Sequence, residues 1–292
     1  MLTLGCLAAA LLTLFTSWWV GECAVHWHRH LLVLSLLPVP LLRQRWWLLS
    51  LVSVSILMIP FFNPVATRAN SALQSGERLI IANCSIATSV ADSAAHTLSD
   101  LDPDVVVVIE STPRMVRALT ARLPEHHVMV DDGPIGAAYG VAILSRRPFT
   151  HVAHLVRGNP VIEAVIGEGP DQWRLITCHP CPPVGRNGFT WRNQVFEIVA
   201  ELASANDLPT VVCGDFNSTS ASPWFKAMCE RGGLEMAPSP PRTWPQPWTA
   251  FGIAIDHILV RGAIERSALE RVPLPGSDHS GVMTTVAPAP VR

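Results

Sequence analysis

Lysine is almost missing from this 292-residue chain, with Lys226 the only one. Holding a phosphate backbone takes several Lys or Arg contacts, so a nucleic-acid partner would need clustered arginines. The region beyond residue 62 carries 18 basic and 22 acidic side chains, a formal balance of −4, which is no basic footprint. Charge of either sign is scarce at the other end, where the first 62 residues hold only Glu22, Arg29, Arg43 and Arg45. That composition divides the chain into a membrane segment and a water-soluble domain. Paired cysteines are also lacking: seven lie scattered singly, and only Cys178 and Cys181 are close, bracketing His179-Pro180. A structural zinc site needs a second ligand pair and none is present. Cys84 and Cys213, inside apolar runs, read as small buried hydrophobes.

The apolar end sets the expected organisation. Residues 1–20 and Trp46 to Phe62 are each about long enough to span a bilayer. Between them, Leu31 to Leu42 is apolar but short and contains Pro38 and Pro40, so the count is two or three transmembrane helices. Met1 to Leu4 has no positive stretch, which argues against a cleaved signal peptide. Arg43 and Arg45 abut the last span and are held on the cytoplasmic side, so the chain after Phe62 is expected to emerge on the opposite face. His26, His28 and His30 beside Trp27 read as interfacial residues. The expected domains are a membrane segment at 1–62, a polar linker at 63–77 and a catalytic domain at 78–292.

From Leu79 onward short apolar runs alternate with amphipathic stretches, the pattern of an α/β domain built on sheets. Strands are expected at Leu79 to Ala82, Val105 to Ile109, Gly140 to Leu144, Pro160 to Ile166, Trp173 to Cys178, Thr210 to Cys213 and Gly281 to Val286. A further apolar run, Ile253 to Ile255, leads into Asp256. Helices are expected near Val90 to Leu101, after Ser111-Thr112-Pro113, at 191–205 and after Ser222-Pro223; hydroxyl residues followed by proline are start signals. His126, His127 and His151 to His154 read as exposed strand residues, and Glu163 as a solvated rim carboxylate.

Several of the buried runs end in carboxylates. Thr210 to Cys213 runs into Gly214-Asp215-Phe216-Asn217, Ile109 into Glu110, and Ile255 into Asp256-His257. Ser277-Asp278-His279 precedes the closing strand. Carboxylates gathered at strand mouths repel one another and resist desolvation, so their gathering points to a hard cation or a proton-transfer task.

In order, Asn83, Ile109-Glu110, Gly140-Val141-Ala142-Ile143-Leu144-Ser145, Thr177-Cys178-His179, Gly214-Asp215-Phe216-Asn217, Ile255-Asp256-His257-Ile258-Leu259 and Ser277-Asp278-His279 resemble the endonuclease/exonuclease/phosphatase (DNase I-like) superfamily over about residues 78–288. The resemblance implies a four-layered α/β sandwich of two packed, mainly antiparallel sheets that uses Mg²⁺, with Mn²⁺ as a substitute, to hydrolyse phosphate esters. It implies Glu110, Asn83 and Asp278 as metal ligands, which suits the oxygen preference of Mg²⁺. Asp215 would orient and deprotonate water, and Asn217 would donate to a phosphoryl oxygen. Asp256 would hold His279, as base or as phosphate-stabilising cation, and His179 would serve the leaving oxygen. Asn83, Asn217 and His179 would also contact substrate.

Fold does not choose among phosphoesters. The order of membrane segment then phosphoesterase is similar to bacterial membrane proteins of the teicoplanin-resistance type. That likeness implies a multi-pass protein of the cytoplasmic membrane, its catalytic domain extracytoplasmic, acting on a lipid-linked phosphate or pyrophosphate. Tethering at the bilayer would raise the effective concentration of such a substrate. The alternatives are an extracytoplasmic nuclease acting on DNA or RNA and an inactive membrane scaffold that binds a phosphorylated ligand. No protein partner is expected. Trp224, Trp244, Trp248 and Phe251 form either an aromatic lip or core and membrane-interface packing.

Overall fold

The computed structural model describes residues 2–36, 44–62, 64–73, 75–86, 91–131 and 140–288. Pro38, Pro40, Arg43 and the first residue of the expected helix at Val90 lie outside them. Two sheets form the body. The first has the order β10-β12-β1-β2-β4-β3, with β11 pairing β12. Its strands are β1 (Glu77–Asn83), β2 (Val105–Ile109), β3 (His127–Asp131), β4 (Val141–Ser145), β10 (Ile264–Arg266), β11 (Glu270–Pro273) and β12 (Ser280–Pro288). The second has the order β5-β6-β7-β8-β9, from β5 (Phe149–Val156), β6 (Asn159–Ile166), β7 (Trp173–Cys178), β8 (Thr210–Asp215) and β9 (Asp256–Arg261). Among the described strands only β1·β2 and β7·β8 are parallel pairs, so both sheets are mainly antiparallel.

Strand periodicity explains the four layers. Alternate residues of the buried runs face opposite sides of a sheet. Leu79, Ile81, Val105 and Val107 meet Ile162, Leu175, Val211 and Val260 in the core between the sheets. Their neighbours Ile80, Ala82, Val106 and Val108 pack outward on α6 (Ala91–Asp100) and α7 (Pro113–Arg122). On the far side, Val161, Ile176, Val212 and Leu259 pack on α8 (Gly185–Ser204) and α9 (Pro223–Gly232). Strands covered on both faces read as continuous apolar runs rather than alternating ones. Thr112 caps α7 by accepting from the Met115 amide, and Ser222 caps α9 by accepting from Trp224 and Phe225.

The apolar end departs from expectation. Among the described residues no helix is long and apolar enough to cross a membrane. The expected span over residues 1–20 is broken into α1 (Leu2–Leu12), a turn, and α2 (Trp19–Val25); α3 is His28–Leu36, and the second span is α4 (Gln44–Leu57) followed by α5 (Ile59–Phe62). The 14 residues of α4 rise about 21 Å, short of the roughly 30 Å hydrocarbon core. The break has a physical cause in Gly21, where a Cβ would fall 2.3 Å from the Phe15 carbonyl oxygen. Glycine there lets the chain fold back on itself. The positive-inside argument needed a helix that crosses, and it has none among the described residues.

Smaller differences concern single elements. Helix α8 begins six residues before position 191. Asp256 opens β9 rather than ending a strand, because Ile253 makes only an isolated bridge to Trp244. His126 is buried, its Nε2 2.9 Å from the Pro103 carbonyl oxygen. Glu163 is no free rim carboxylate, since it accepts from Arg174 at 3.0 Å.

Candidate active site

The two parallel pairs end side by side, and the antiparallel partners of each begin there. Asn83 ends β1 and Glu110 follows β2; Asp215 ends β8 directly opposite Asp256 at the start of β9. His179 follows β7, and His279 precedes β12, which pairs with β1. The fold therefore delivers residues scattered over some 200 positions of sequence to one sandwich edge. At the Gly-Asp-Phe-Asn turn, Gly214 has φ +155° and an added Cβ would lie 2.1 Å from the Cys178 carbonyl oxygen, so only glycine lets β8 run this close to β7.

Asn83 is the bridge of the site. Its Nδ2 donates to Glu110 Oε1 at 3.2 Å and to Asp215 Oδ2 at 3.1 Å, which joins a carboxylate from each sheet. Glu110 Oε2 accepts from the Ile86 amide and Asp215 Oδ1 from the Asn217 amide. Glu110 and Asn217 both hold left-handed backbone, φ +56° and +47°. Such strain in non-glycine residues collects at functional sites. Asn217 Nδ2 donates one hydrogen to the Pro180 carbonyl at 3.1 Å, which leaves the second for a ligand.

Asp215 is flanked by two imidazoles, with His179 Nε2 at 3.7 Å and His279 Nε2 at 3.6 Å. His279 Nδ1 lies 3.0 Å from Asp256 Oδ2, and Asp256 is fully buried. Burial by itself lowers the His279 pKa; the Asp256 and Asp215 carboxylates outweigh it and push it up to about 10. His279 is then an imidazolium near neutral pH, with its Nε2–H turned towards Asp215.

The expected site residues do not all stand alike. Asn83, Asp215, Asp256, His179 and His279 are buried, whereas Asp278 is exposed and accepts from Trp244 Nε1 at 3.1 Å. Glu110, Asp278, His179, Asp215, Asn217 and His279 nonetheless line one cleft of about 480 Å³. Glu110 and Asp278 present carboxylate oxygens to the cleft, while the Asn83 oxygen accepts from the Ser85 amide, and the two carboxylates drawn to one amide favour a cation between them. That donor set fits a hard divalent ion. Asp215, Asp256 and His279 also offer ligand atoms within 4.8 Å of one another. There the Asp256–His279 hydrogen bond already uses an oxygen and a ring nitrogen, so the cluster reads as a proton-handling triad.

Sequence reasoning gave no role to Ser277 or Thr243. Ser277 Oγ donates to the Asn83 carbonyl at 2.8 Å and accepts from the His279 amide at 3.0 Å, locking two site residues together. Thr243 Oγ1 accepts from the Asp256 amide at 3.4 Å. Adjacency of Ser277 to Asp278-His279 was the one signal available; Thr243 had none. Of the four aromatic candidates, Trp244 lines the cleft, and Trp224 packs inward with Nε1 donating to the Thr16 carbonyl. Trp248 and Phe251 are exposed.

Residues 83–279 match the model of the Endonuclease/Exonuclease/phosphatase family. No curated protein matches the chain. Among solved structures, D. rerio TDP2 complexed with a single-strand DNA product is similar at 19% identity and TM-score 0.56, covering 73% of this chain and 99% of that one. A beta toxin from Staphylococcus aureus is similar at 14% identity and TM-score 0.55, over 71% of this chain and 99% of the toxin. An endonuclease/exonuclease/phosphatase from Beutenbergia cavernae is similar at 18% identity and TM-score 0.55, over 74% of this chain and 72% of that one. Likeness at such identities is a likeness of fold.

Proposed function

We propose, for a chain that belongs to the Endonuclease/Exonuclease/phosphatase family and is thereby a metal-dependent phosphoric ester hydrolase, that the substrate is a lipid-linked phosphate or pyrophosphate met at a membrane surface. The observation that carries this reading is the lining of the cleft. Above a floor of carboxylates and imidazoles its walls are Pro182, Pro183, Val184, Ile253 and Ile255, and among the described residues no Arg or Lys lines it. A polyanionic backbone finds no arginine or lysine there; an apolar alcohol attached to a phosphate finds a surface of its own kind.

A second feature supports the membrane. Leu4, Leu11, Leu14, Phe15 and Trp18 near α1, and Val33, Leu34, Leu36, Leu48, Leu51 and Val52 on α3 and α4, are exposed. An apolar surface of this extent marks an interaction site. Helices too short to cross suit a seat within one leaflet.

In hydrolysis, Asp215 accepts the proton of a water whose oxygen attacks phosphorus, and the bond from phosphorus to the leaving oxygen breaks. The free hydrogen of Asn217 Nδ2 and the His279 imidazolium donate to the phosphoryl oxygens as charge gathers on them. The Asp256 carboxylate accepts from His279 Nδ1 and stabilises the charge of the ring, which favours the cationic role. His179 serves the leaving oxygen. Glu110, Asn83 and Asp278 would hold Mg²⁺, or Mn²⁺ in its place, which supplies charge neutralisation at the phosphoryl group.

The nucleic-acid reading draws support from the fold likeness to TDP2, whose structure holds a single-strand DNA product. One assay separates the two. Phosphate release from a polyprenyl pyrophosphate in detergent with Mg²⁺, abolished in Asp215→Ala, supports the lipid reading. Cleavage of plasmid DNA without lipid turnover overturns it in favour of a nuclease, and silence on both leaves the inactive scaffold.

A further inference from the structure

The wall of the cleft opposite β8 comes from the apolar end of the chain. Cys23, His26 and Trp27, at the corner between α2 and α3, line the same cleft as His179, Asp215, Asn217 and His279. None of the three falls within the residues that match the family. The corner is built into the domain. Glu22, fully buried, accepts from Arg192 Nη2 at 2.8 Å and from Ser222 Oγ at 2.5 Å. Arg192, also fully buried, lies over the rings of Phe189 and Phe196. His26 Nδ1 meets Thr219 Oγ1 at 3.1 Å, Cys23 Sγ donates to the Pro183 carbonyl, and His30 Nε2 donates to the Phe251 carbonyl at 2.8 Å. These ties reach α8, the cap of α9 and the loops on either side of the cleft.

Trp27, half-buried, occupies the cleft end of this arrangement. Its ring stands edge-on to Trp244 with centroids 6.2 Å apart, and it packs on His30 at 4.9 Å. Trp244 in turn donates to Asp278 beside the catalytic floor. Two indoles inclined at 64° to each other, one tied to Asp278 and one to the N-terminal corner, make an apolar angle next to the place where the phosphoryl group would sit. Large aromatic faces contribute binding by burying the partner's apolar area, and the contribution grows with the size of that partner.

We propose that Trp27 is a specificity-determining residue: with Trp244 it receives the bulky apolar alcohol portion of the phosphoester, and the Glu22–Arg192 pair positions it. The inference rests on the lipid-linked reading above and adds a residue outside the family's span. It accounts for two buried charges, in Glu22 and Arg192, that the chemistry itself does not use. A merely structural corner would contribute equally to every substrate, and the angle of the two indoles would not.

The test compares two substrates with the same reacting group, geranylgeranyl pyrophosphate and isopentenyl pyrophosphate, using the full chain with Mg²⁺ and reading phosphate release. The quantity is the ratio of kcat/KM values, long chain over short. Trp27→Ala is expected to lower that ratio about tenfold, mainly through KM, and Trp27→Phe to restore most of it. Glu22→Gln is expected to lower it in the same direction while the far-ultraviolet circular dichroism keeps its wild-type form. An unchanged ratio in Trp27→Ala, with both substrates still hydrolysed, overturns the inference and leaves the functional reading standing. Wild-type protein that hydrolyses neither pyrophosphate overturns the reading, and the inference with it.

Discussion

The floor of the cleft and its N-terminal wall are held by different kinds of structure. The floor is made of strand ends: Asn83, Glu110, Asp215 and Asp256 stand where ladders of backbone hydrogen bonds fix the chain. The wall is made of short helices held to the domain chiefly by side chains, with Glu22–Arg192 at the centre. Backbone ladders position a group through many bonds that fail together. A buried ion pair positions a whole segment through one contact, and losing either partner leaves an uncompensated charge. Chemistry that tolerates little displacement sits on the first kind of support, and selection among substrates on the second.

The comparison breaks most sharply at Asp215. Asp215→Asn keeps the shape of the floor and removes the proton acceptor, and kcat is expected to fall on the order of 10³- to 10⁴-fold with the unfolding midpoint little changed. A steady-state assay beside a thermal melt checks both halves. Glu22→Ala is expected to act the other way round, lowering stability by about 3–5 kcal/mol in urea unfolding because Arg192 stays buried without its partner. Replacing both, Glu22→Leu with Arg192→Met, should return much of that stability. A double variant no more stable than the single one would show that the ion pair is not what holds the corner.

Acid should loosen the wall before the floor's own ladders. Burial is the chief cause that pushes His26 down to about 3 and His28 down to about 4. Each binds a proton more readily in the unfolded chain, whose histidines titrate near 6.5. The stability these two histidines contribute is therefore full above about pH 6.5 and falls as the pH drops towards 4. His26→Gln is expected to flatten that slope in melts collected from pH 7 to pH 4. The smallest effect is a control: Thr112→Ala removes the α7 cap, which does not line the cleft, and is expected to cost about 1 kcal/mol without altering the preference between long and short substrates.

What could be read from the sequence followed the same division. Glu110 and Asp215 stood out because each follows an apolar run long enough to be a buried strand, and the sheet edge then determines where such a residue goes. Asp256 was harder. Ile253 to Ile255 is too short to show which side of the aspartate carries the strand, and the ladder lies after it, paired to β8. The N-terminal helices were less legible for a more general reason. Hydropathy counts apolar residues along a window and takes no account of a partner 170 positions away. Glu22 looked like one charge interrupting an apolar stretch; its meaning depends on Arg192, which sits unremarked on the buried face of α8. Trp27 was set beside the membrane by the same logic, and the structure places it beside Trp244.

The Asn83 amide has one more consequence. Its nitrogen is shared between Glu110, carried by the first sheet, and Asp215, carried by the second, so the site straddles the seam along which the sandwich would slip. Asn83 and Glu110 both ride on the first sheet, so a slide of one sheet over the other by a fraction of an ångström changes the Asn83–Asp215 distance and leaves the Asn83–Glu110 distance as it was. The enzyme thus contains its own vernier. Methyl groups removed from the seam, at Ile81 or Val211, should register in turnover while the protein is still comfortably folded, which ties the precision of the chemistry to packing two residues before Asn83 and four before Asp215.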